Sequence, residues 1–463
     1  MKAPLILRVS TSMTNNKKKD RGEDKLIRIG SRARKNLGLE KAKEVELWPQ
    51  NGGSQGRIHR ARLLKIHEAF SGDIKKAKEL MPEEDFLRVG FVTMRTFRYI
   101  CGRDPGADND TDNIWLADEL QDIAVGADPE FLLGIDESRK KFKYAGNVHN
   151  FSHTAKLGSD GPWAELRPDP EIEVEKLVNN MKSLFKNSPN AKNTIRGYYW
   201  LGGCFYEGED VDRGDSRGWP IGGHVHVGSP LRLLEKINKL TEEYGGVRQD
   251  FIKELYFSCL KHVLDEMVAV PLLKLDGVED GTKRRQQFGG VGDLRTDHSR
   301  LEWRTPSGMW LIHPKLAETV LGVTKCVSHE FFKMLENRGY DINSVKHYED
   351  IGLTKKDQGR LVYAEPKQMS PDFSSWDRIE VVQDMGVCES NTKLKAILEE
   401  GKIKFTAQYL KDLKRRFKSL SVYREYAEHV DRFIEVLKAP EEEVTSERDL
   451  KKTWLEESRF VID

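Results

Sequence analysis

The chain has 463 residues, of which 38% are hydrophobic, and 76 Lys and Arg residues stand against 75 Asp and Glu residues. This balance argues against a globally basic nucleic-acid-binding protein, and no apolar run reaches the length of a membrane span. The length predicts two or three domains. Five scattered cysteines without a Cys-x-x-Cys pair, and a start too quickly charged for a signal peptide, indicate reduced thiols and a cytoplasmic location.

Residues 1–115 are predicted to form a β-rich or mixed module. Strands within Leu26–Trp48 give a pattern similar to small barrels with swapped hairpins. A nucleic-acid contact through Arg32, Arg34 and Lys35 is open only for this module, although a solvated turn explains these residues better. The other predicted elements are helices at Ile58–Phe70 and Asp73–Leu80, a strand near Phe86–Val92, a helix ending before Gly102 and a linker at Asp104–Asn113.

Residues 116–345 contain four predicted strands whose two faces differ in chemistry: Ile123–Leu133, Trp163–Arg167, Gly222–Gly228 and Ser299–Pro306. Because side chains alternate between the faces of a strand, the polar face carries Asp128, Glu130, Glu165, Arg167, His224, His226, Arg300, Glu302 and Arg304. Apolar residues such as Phe131, Val225 and Trp303 lie on the opposite face. If these strands belong to one sheet, the charged groups converge on a single surface.

The rest of the chain is predicted to be mainly helical. In residues 116–345, helices are expected at Glu173–Phe185, Leu231–Tyr244, Gln249–Val268 and Pro314–Asn337, with a further strand at Tyr198–Leu201. Residues 346–463 are expected to form a C-terminal helical region, with helices at Asn391–Glu399, Thr406–Leu420 and Val422–Leu437.

The converging groups indicate a cation and phosphate site. Crowded carboxylates repel one another, and protonation or a cation relieves this repulsion. A hard cation such as Mg²⁺ takes carboxylate oxygens and leaves positions open for phosphate, while arginines grip phosphate or carboxylate through two donors. Each motif alone is more typical of an ordinary strand, but their joint occurrence favours nucleotide phosphate chemistry.

At this point the sequence resembles a known family. The segments Asp128–Leu132, His224–His226 and Arg300–Pro306 look like the metal- and nucleotide-binding strands of the glutamine synthetase and glutamate–cysteine ligase superfamily. The stretch Asp276–Trp310 is similar to the phage phiEco32-like carboxylate–amine ligases, called amidoligases of type 2. The resemblance covers about residues 118 to 335.

This resemblance implies an α+β fold with a glutamine-synthetase-like antiparallel sheet, helices on one face, and the N-terminal barrel-like module and C-terminal helices as additions. It implies an ATP- and Mg²⁺-dependent ligase, with Mn²⁺ as an alternative ion, that is phage-encoded and works in the host cytoplasm. Asp128, His224 and Glu302 would hold one ion, and Glu130 and Glu165 the other. Arg295 and Arg304 match positions whose guanidiniums hold ATP phosphates and the acyl phosphate. Apart from the resemblance, we expect catalytic roles for Arg300 and Arg167 as well, and nucleotide binding by Arg284, Arg285, Arg295 and His226. The glycine-bearing basic loop Asp276–Asp297 would either close over the phosphates or be an ordinary flexible basic loop.

Two other functions remain open at this stage. One is an ATP:guanidino phosphotransferase, which would transfer phosphate to nitrogen without forming an amide. The other is a virion or scaffold protein that keeps the fold without turnover. The carboxylate and amine substrates, which are small molecules or protein side chains, leave no readable signature, and the sequence is compatible with a homo-oligomer.

Overall fold

The computed structural model describes residues 5–9, 26–37, 39–49, 59–65, 75, 77–79, 86–101, 111–116, 123–230, 249–291, 293–296, 300–337, 353–356, 360–363, 385, 391–456 and 459–462. The chain divides into two compact units. One unit comprises Met1–Asp122 with Pro230–Lys239, and the other comprises Ile123–Ser229 with Leu240–Asp463. The predicted helix Leu231–Tyr244 lies outside the described residues.

The first unit contains a closed barrel with the strand order β1-β5-β2-β4-β3-β6. Its elements are β1 (Leu5–Val9), β2 (Leu26–Ile29), α1 (Ser31–Asn36), β3 (Glu44–Pro49), β4 (His59–Lys65), β5 (Val89–Val92), α2 (Met94–Cys101) and β6 (Thr111–Leu116). The pairs β1–β5 and β2–β4 are parallel. Apolar side chains such as Leu7, Ile27 and Leu47 are buried together with Phe97 and Ile100 of α2, which gives this unit its own core.

Two predictions for this unit are wrong. The predicted helix Ile58–Phe70 is replaced over His59–Lys65 by β4, which pairs with both β2 and β3. A short apolar segment does not distinguish helix from strand by periodicity alone, and the pairing partners decide it. The predicted linker Asp104–Asn113 ends in strand β6, because Thr111 and Asp112 pair with β1. Residues 104–110 lie outside the described residues.

The second unit is built on a large mixed sheet. Its strands are β7 (Val125–Gly134), β8 (Lys141–Lys143), β9 (Leu157–Asp160), β10 (Trp163–Leu166), β11 (Tyr199–Leu201), β12 (Phe205–Asp210), β13 (Asp215–Pro220), β14 (Gly223–Gly228), β15 (Leu294–Thr296) and β16 (Arg300–Trp303). The main order is β13-β12-β8-β7-β14-β16-β15, and β10 and β11 also pair with β7. The predicted antiparallel sheet is correct for most pairs, but β12 runs parallel to β8. A separate hairpin joins β17 (Leu353–Lys356) to β18 (Arg360–Tyr363).

Helices complete the second unit. They are α3 (Val174–Asn187), α4 (Gln249–Leu264), α5 (Val270–Asp276), α6 (Val278–Gln287), α7 (Pro314–Asn337), α8 (Asn391–Leu398), α9 (Ala407–Ser419), α10 (Ala427–Lys438), α11 (Glu441–Val444) and α12 (Leu450–Leu455). A π-helical turn, Asp265–Ala269, joins α4 to α5. Proline suits the first position of α7, because an N–H at that position would have no intrahelical partner and its absence therefore loses no hydrogen bond. No helix in the described part of the chain is long and apolar enough to cross a membrane.

The apolar face of the sheet is covered partly by helices from the C-terminal part of the chain. The rings of Phe131 on β7 and Phe185 on α3 lie 5.8 Å apart, and Phe185 lies 5.3 Å from Trp454 on α12. Trp454 is fully buried, and its indole N–H donates to the carbonyl of Leu311 at 2.7 Å. The C-terminal helices therefore share a core with the sheet.

Candidate active site

Strand pairing brings the predicted polar residues onto one face of the sheet. Glu165 lies opposite Glu130, and His224 lies opposite Asp128. On the other side of β14, His226 lies opposite Glu302, which in turn lies opposite Arg295. Directly opposed residues in an antiparallel pair point to the same face. The expected convergence of carboxylates, imidazoles and guanidiniums is therefore present in the structure.

Among the residues that the structure describes, two groups of side chains are compact enough to hold a metal ion. Asp128, Glu165 and His224 form one group, and Asp128, His226 and Glu302 form the other; within each, the ligand atoms lie within 4.8 Å of one another. Asp128 belongs to both. These groups differ from those that the resemblance implies, because Glu165 joins Asp128 and His224 while His226 joins Glu302.

Glu130 is placed differently from the expectation that it ligates an ion. Its side chain is buried, and Oε2 accepts a hydrogen bond from the backbone N–H of Gly222 at 2.6 Å. It is a member of neither compact group among the described residues. Through Oε2, Glu130 contacts the backbone at the entry to β14, next to His224, and its predicted role as an ion ligand stays a prediction.

The pKa values of three carboxyl groups in the site are shifted from their usual values. Burial and the charge of Asp128 raise the pKa of Glu165 to about 9, even though Arg167 forms an ion pair with it. Burial also raises the pKa of Glu130. Burial alone would raise the pKa of Asp128 as well, but the imidazoles of His226 and His224 lower it well below its usual range. Three carboxyl groups thus compete for few positive partners, a conflict that a divalent cation relieves.

The unpartnered atoms of the site also fit a cation. Nδ1 of His224 lies 3.3 Å from Oδ1 of Asp128, and Nε2 of His226 lies 3.2 Å from Oδ2. Nevertheless, Oδ1 of Asp128 and Nε2 of His224 are buried without a hydrogen-bond partner. Buried polar atoms are costly unless they are paired. Carboxylate oxygens with a single imidazole form a donor set that suits Mg²⁺ or Mn²⁺.

Arg300 determines which nitrogen of the His226 imidazole carries the proton. Nη1 of Arg300 lies 3.1 Å from Nδ1 of His226, and since a guanidinium only donates, Nδ1 is the acceptor. In this arrangement the neutral imidazole carries its proton on Nε2, which faces Asp128. An ion bound by Nε2 of His226 would require that proton to move.

Three arginines border the acidic groups on the β15–β16 side. Nε of Arg304 lies 3.4 Å and Nη1 of Arg295 3.7 Å from Oε1 of Glu302. The side chain of Arg295 is 65% exposed, whereas that of Arg304 is only 12% exposed. Arg304 is therefore the better placed of the two to act on a group bound inside the site, and Arg295 and Arg300 lie at its rim.

Arg167 connects the site to strand β9 and to the turn before it. Besides its ion pair with Glu165, its guanidinium donates to the carbonyls of Ala155 at 3.0 Å and Ser159 at 3.2 Å. These bonds occupy both terminal nitrogens. Arg167 thus connects Glu165 to β9 and the turn before it, and its predicted catalytic role stays a prediction.

Arg284 and Arg285 do not border the site in the way the predicted phosphate loop requires. Residues Val278–Gln287 form helix α6, and both guanidiniums are buried. Arg284 donates to the carbonyls of Ile221, Thr305 and Pro306, and burial lowers its pKa to about 10. Arg285 pairs with Asp276 at 2.9 Å. Their donors brace the segments that flank β14 and β16, so the prediction of nucleotide contact by these two residues is not supported by the geometry.

Sequence reasoning missed the residues that surround Arg304. The Phe288 ring lies 4.6 Å below its guanidinium, 5.4 Å from the His224 ring, and stacks on Trp163. Asp293 lies 3.5 Å from Nη1 of Arg304. The Phe288-Gly289 pair directly after α6 could have indicated a sharp turn. The residues that contact Phe288 could not be predicted, because they belong to other strands.

Comparisons with known proteins found one family model and solved structures that are similar to this chain. Residues 125–249 and 250–350 match the model of the family described as phage phiEco32-like COOH.NH2 ligase-type 2. The curated proteins include no match to the sequence. Among solved structures, a bifunctional glutathione synthetase from Pasteurella multocida is similar at 13% identity, with a TM-score of 0.33, over 73% of this chain and 49% of that chain. This chain thus spans about half the length of that protein. Residues 125–350, just under half of the chain, are thus similar to the phage phiEco32-like COOH.NH2 ligase-type 2 family, and they contain all the ligand candidates described above.

Proposed function

We propose that this chain is an ATP- and Mg²⁺-dependent carboxylate–amine ligase that forms an amide through an acyl phosphate. The observation that carries the proposal is the pair of compact acidic groups that share Asp128, bordered by Arg304 and Arg295. A site built only for hydrolysis needs the cation but has less use for several guanidiniums. The family description names the same two reacting groups, a carboxyl and an amine.

The residues of the site have distinct roles in this proposal. Asp128, Glu165 and His224 would hold one divalent cation, and Asp128, Glu302 and His226 a second. Bound there, the ions would neutralise phosphate charge and orient the transferred phosphoryl group. Glu130 and Arg167 keep the ligands in place through their contacts with Gly222 and Glu165.

Arg304 would stabilise the charge that develops during transfer. A carboxylate is a poor acyl donor because its leaving group would be oxide, and phosphorylation gives it a better one. The amine then attacks the carbonyl carbon, inorganic phosphate leaves with the C–O bonding electrons, and the nitrogen releases one proton to phosphate or solvent. A fixed guanidinium in a poorly hydrated site stabilises such charge more than it would in water. Phe288 covers one side of Arg304 and of His224, which helps to exclude water from the acyl phosphate.

The substrates and setting follow from the same proposal. We expect carboxylate and amine partners that are small molecules or protein side chains, and a phage-encoded enzyme acting in a host cytoplasm. Incubation of the full chain with ATP, Mg²⁺ and mixed amines and carboxylates, followed by mass spectrometry, tests the reaction class. Amide with inorganic phosphate supports the ligase, whereas a phosphorylated guanidine would indicate a phosphotransferase. Absence of both, with an unchanged ATP pool, would indicate a non-catalytic protein.

A further inference from the structure

Glu399, which lies beyond the family-matched region, contacts the loop beside Arg304. This loop contains Phe288, Gly289, Gly290, Val291 and Asp293. Glu399 follows helix α8, and its Oε1 accepts a hydrogen bond from the backbone N–H of Val291 at 3.1 Å. The same oxygen would lie 2.9 Å from a Cβ built on Gly290, so the carboxylate lies directly against the loop backbone. Leu394 and Leu398 of α8 are fully buried. This apolar anchorage fixes the position from which Glu399 reaches the loop.

The loop in turn holds Arg304 from two sides. The Phe288 ring lies 4.6 Å from the guanidinium carbon, and Oδ1 of Asp293 lies 3.5 Å from Nη1. Asp293 also closes the loop on itself, since its Oδ2 accepts from the N–H of Gly289 and its own N–H donates to the carbonyl of Gly290, both at 3.1 Å.

The loop backbone has little freedom to take another path. Gly289 has a φ of 68°, which a residue with a side chain rarely adopts. A Cβ at this position would lie 2.6 Å from Nη2 of Arg284 and 2.7 Å from the carbonyl oxygen of Arg304. The turn therefore lies directly against the chain segment that carries Arg304, and a shift of the loop would move the groups around that guanidinium.

We propose that Glu399 is a positioning residue, which accepts the N–H of Val291 and thereby fixes the loop that orients Arg304. This inference rests on the proposed function, in which Arg304 stabilises charge during phosphoryl and acyl transfer. The role needs a hydrogen-bond acceptor at the right reach, and it does not need a negative charge. Glutamine keeps the acceptor oxygen, whereas aspartate keeps the charge but is one methylene shorter.

The kinetic test compares E399A, E399D and E399Q, with E400A as the matched control. Glu400 is the adjacent exposed glutamate, and its carboxylate pairs with Lys402. We expect E399A and E399D to lower kcat for ATP-dependent phosphate release by at least about fivefold, the rate equivalent of one hydrogen bond. The KM for ATP should stay within about twofold, because a misplaced Arg304 affects the transition state more than ground-state binding. E399Q and E400A should behave as wild type.

Hydrogen–deuterium exchange gives a readout that is independent of turnover. A peptide covering residues 286–294 should exchange faster in E399A and E399D, and at the wild-type rate in E399Q. Wild-type exchange and turnover in both E399A and E399D would overturn the inference, and so would a loss in E399Q as large as that in E399A. If the wild-type chain releases no phosphate under any condition, the proposed function fails, while the exchange rates still decide whether Glu399 fixes the loop.

Discussion

Asp128 and His226 are diagonal neighbours on adjacent strands, and Nε2 of the imidazole lies 3.2 Å from Oδ2 of the carboxylate. Since Asp128 is also within ligand distance of Glu165 and His224, one side chain connects the two compact acidic groups. Arg300 holds His226 in the form that cannot accept an ion through Nε2. The ion bound with His224 should therefore bind first and more tightly.

Substitution of Asp128 should remove both ions, whereas loss of a ligand from one group should remove one. We expect wild type to bind two Mn²⁺ ions of unequal affinity, E165Q and E302Q to bind one each, and D128N to bind none, as measured by electron paramagnetic resonance titration. Mg²⁺ or Mn²⁺ should raise Tm for wild type because ions that bind only the folded chain stabilise it. D412N, at an acidic residue of α9 far along the chain, serves as a control. Two tight ions in D128N would show that Asp128 is not shared.

The arginines should separate in their effects on binding and turnover. R304K should leave Mn²⁺ and nucleotide binding nearly intact and lower kcat by about 10²–10³-fold, because an ammonium cannot reproduce a fixed planar donor array. R295K should lose less than about tenfold, because the Arg295 side chain is 65% exposed and solvent screens its charge. Equal losses of turnover in the two variants, measured under saturating ATP, would contradict this order.

A close contact between α7 and α10 should make an ordinarily favourable substitution harmful. Glycine to alanine within a helix usually stabilises by about 1 kcal/mol, but a Cβ on Gly322 would lie 2.3 Å from Cγ of His429. We expect G322A to reduce the free energy of unfolding by about 2 kcal/mol, a typical cost of overpacking. In a double-mutant cycle with H429A, the alanine at 322 should become much less harmful. Additive losses in urea titrations would show that the two residues do not clash.

His429 should also make the protein sensitive to acid. Burial lowers the pKa of this imidazole below its usual value, and the nearby Arg432 adds to the effect. Because the unfolded chain then takes up the proton more readily, the stabilisation is complete above the unfolded pKa of about 6.5 and is lost as pH falls through the folded pKa. The unfolding free energy of wild type should therefore drop more between pH 7.5 and pH 5 than that of H429Q. Parallel pH profiles would show that another group dominates.

Substitution of Trp454 tests whether the C-terminal helices are required for the fold of the second unit. W454A should cost about 3–5 kcal/mol, because it removes a fully buried indole that packs on Phe185 and donates to Leu311. The neighbouring L455A should cost little, since Leu455 is 38% exposed. Thermal unfolding followed by tryptophan fluorescence and circular dichroism measures both. A mild effect of W454A would mean that α12 is only loosely attached.

Local patterns predicted the polar faces of four strands because side-chain alternation is a property of each strand alone. Val125, Val225 and Trp303 are buried as expected, and this alternation made the convergence around Asp128 predictable once one sheet was assumed. The long helices α4 and α7 were also predictable, since their apolar periodicity extends over several turns.

The predictions that failed concern contacts between residues that are distant in the sequence. Arg284 looked like a phosphate ligand in a basic loop, and only the folded chain shows that backbone carbonyls take its donors. The grouping of Glu165 with Asp128 and His224 instead of with Glu130, and the position of His226 beside Glu302, depend on strand register and side-chain reach. Glu399 is 108 residues away from Val291 in sequence. No local pattern connects positions that far apart.

The alternation along β7 and β14 also limits where the chain can change length during evolution. A single insertion or deletion within either strand would turn Asp128 or His224 toward the core and an apolar neighbour such as Ala127 or Val225 toward the polar face. The hairpin between β12 and β13 lacks this constraint, because residues 211–214 at its tip are exposed. Related chains should therefore vary in length at that tip, while the distance from Asp128 to Glu130 and from His224 to His226 should stay at two residues.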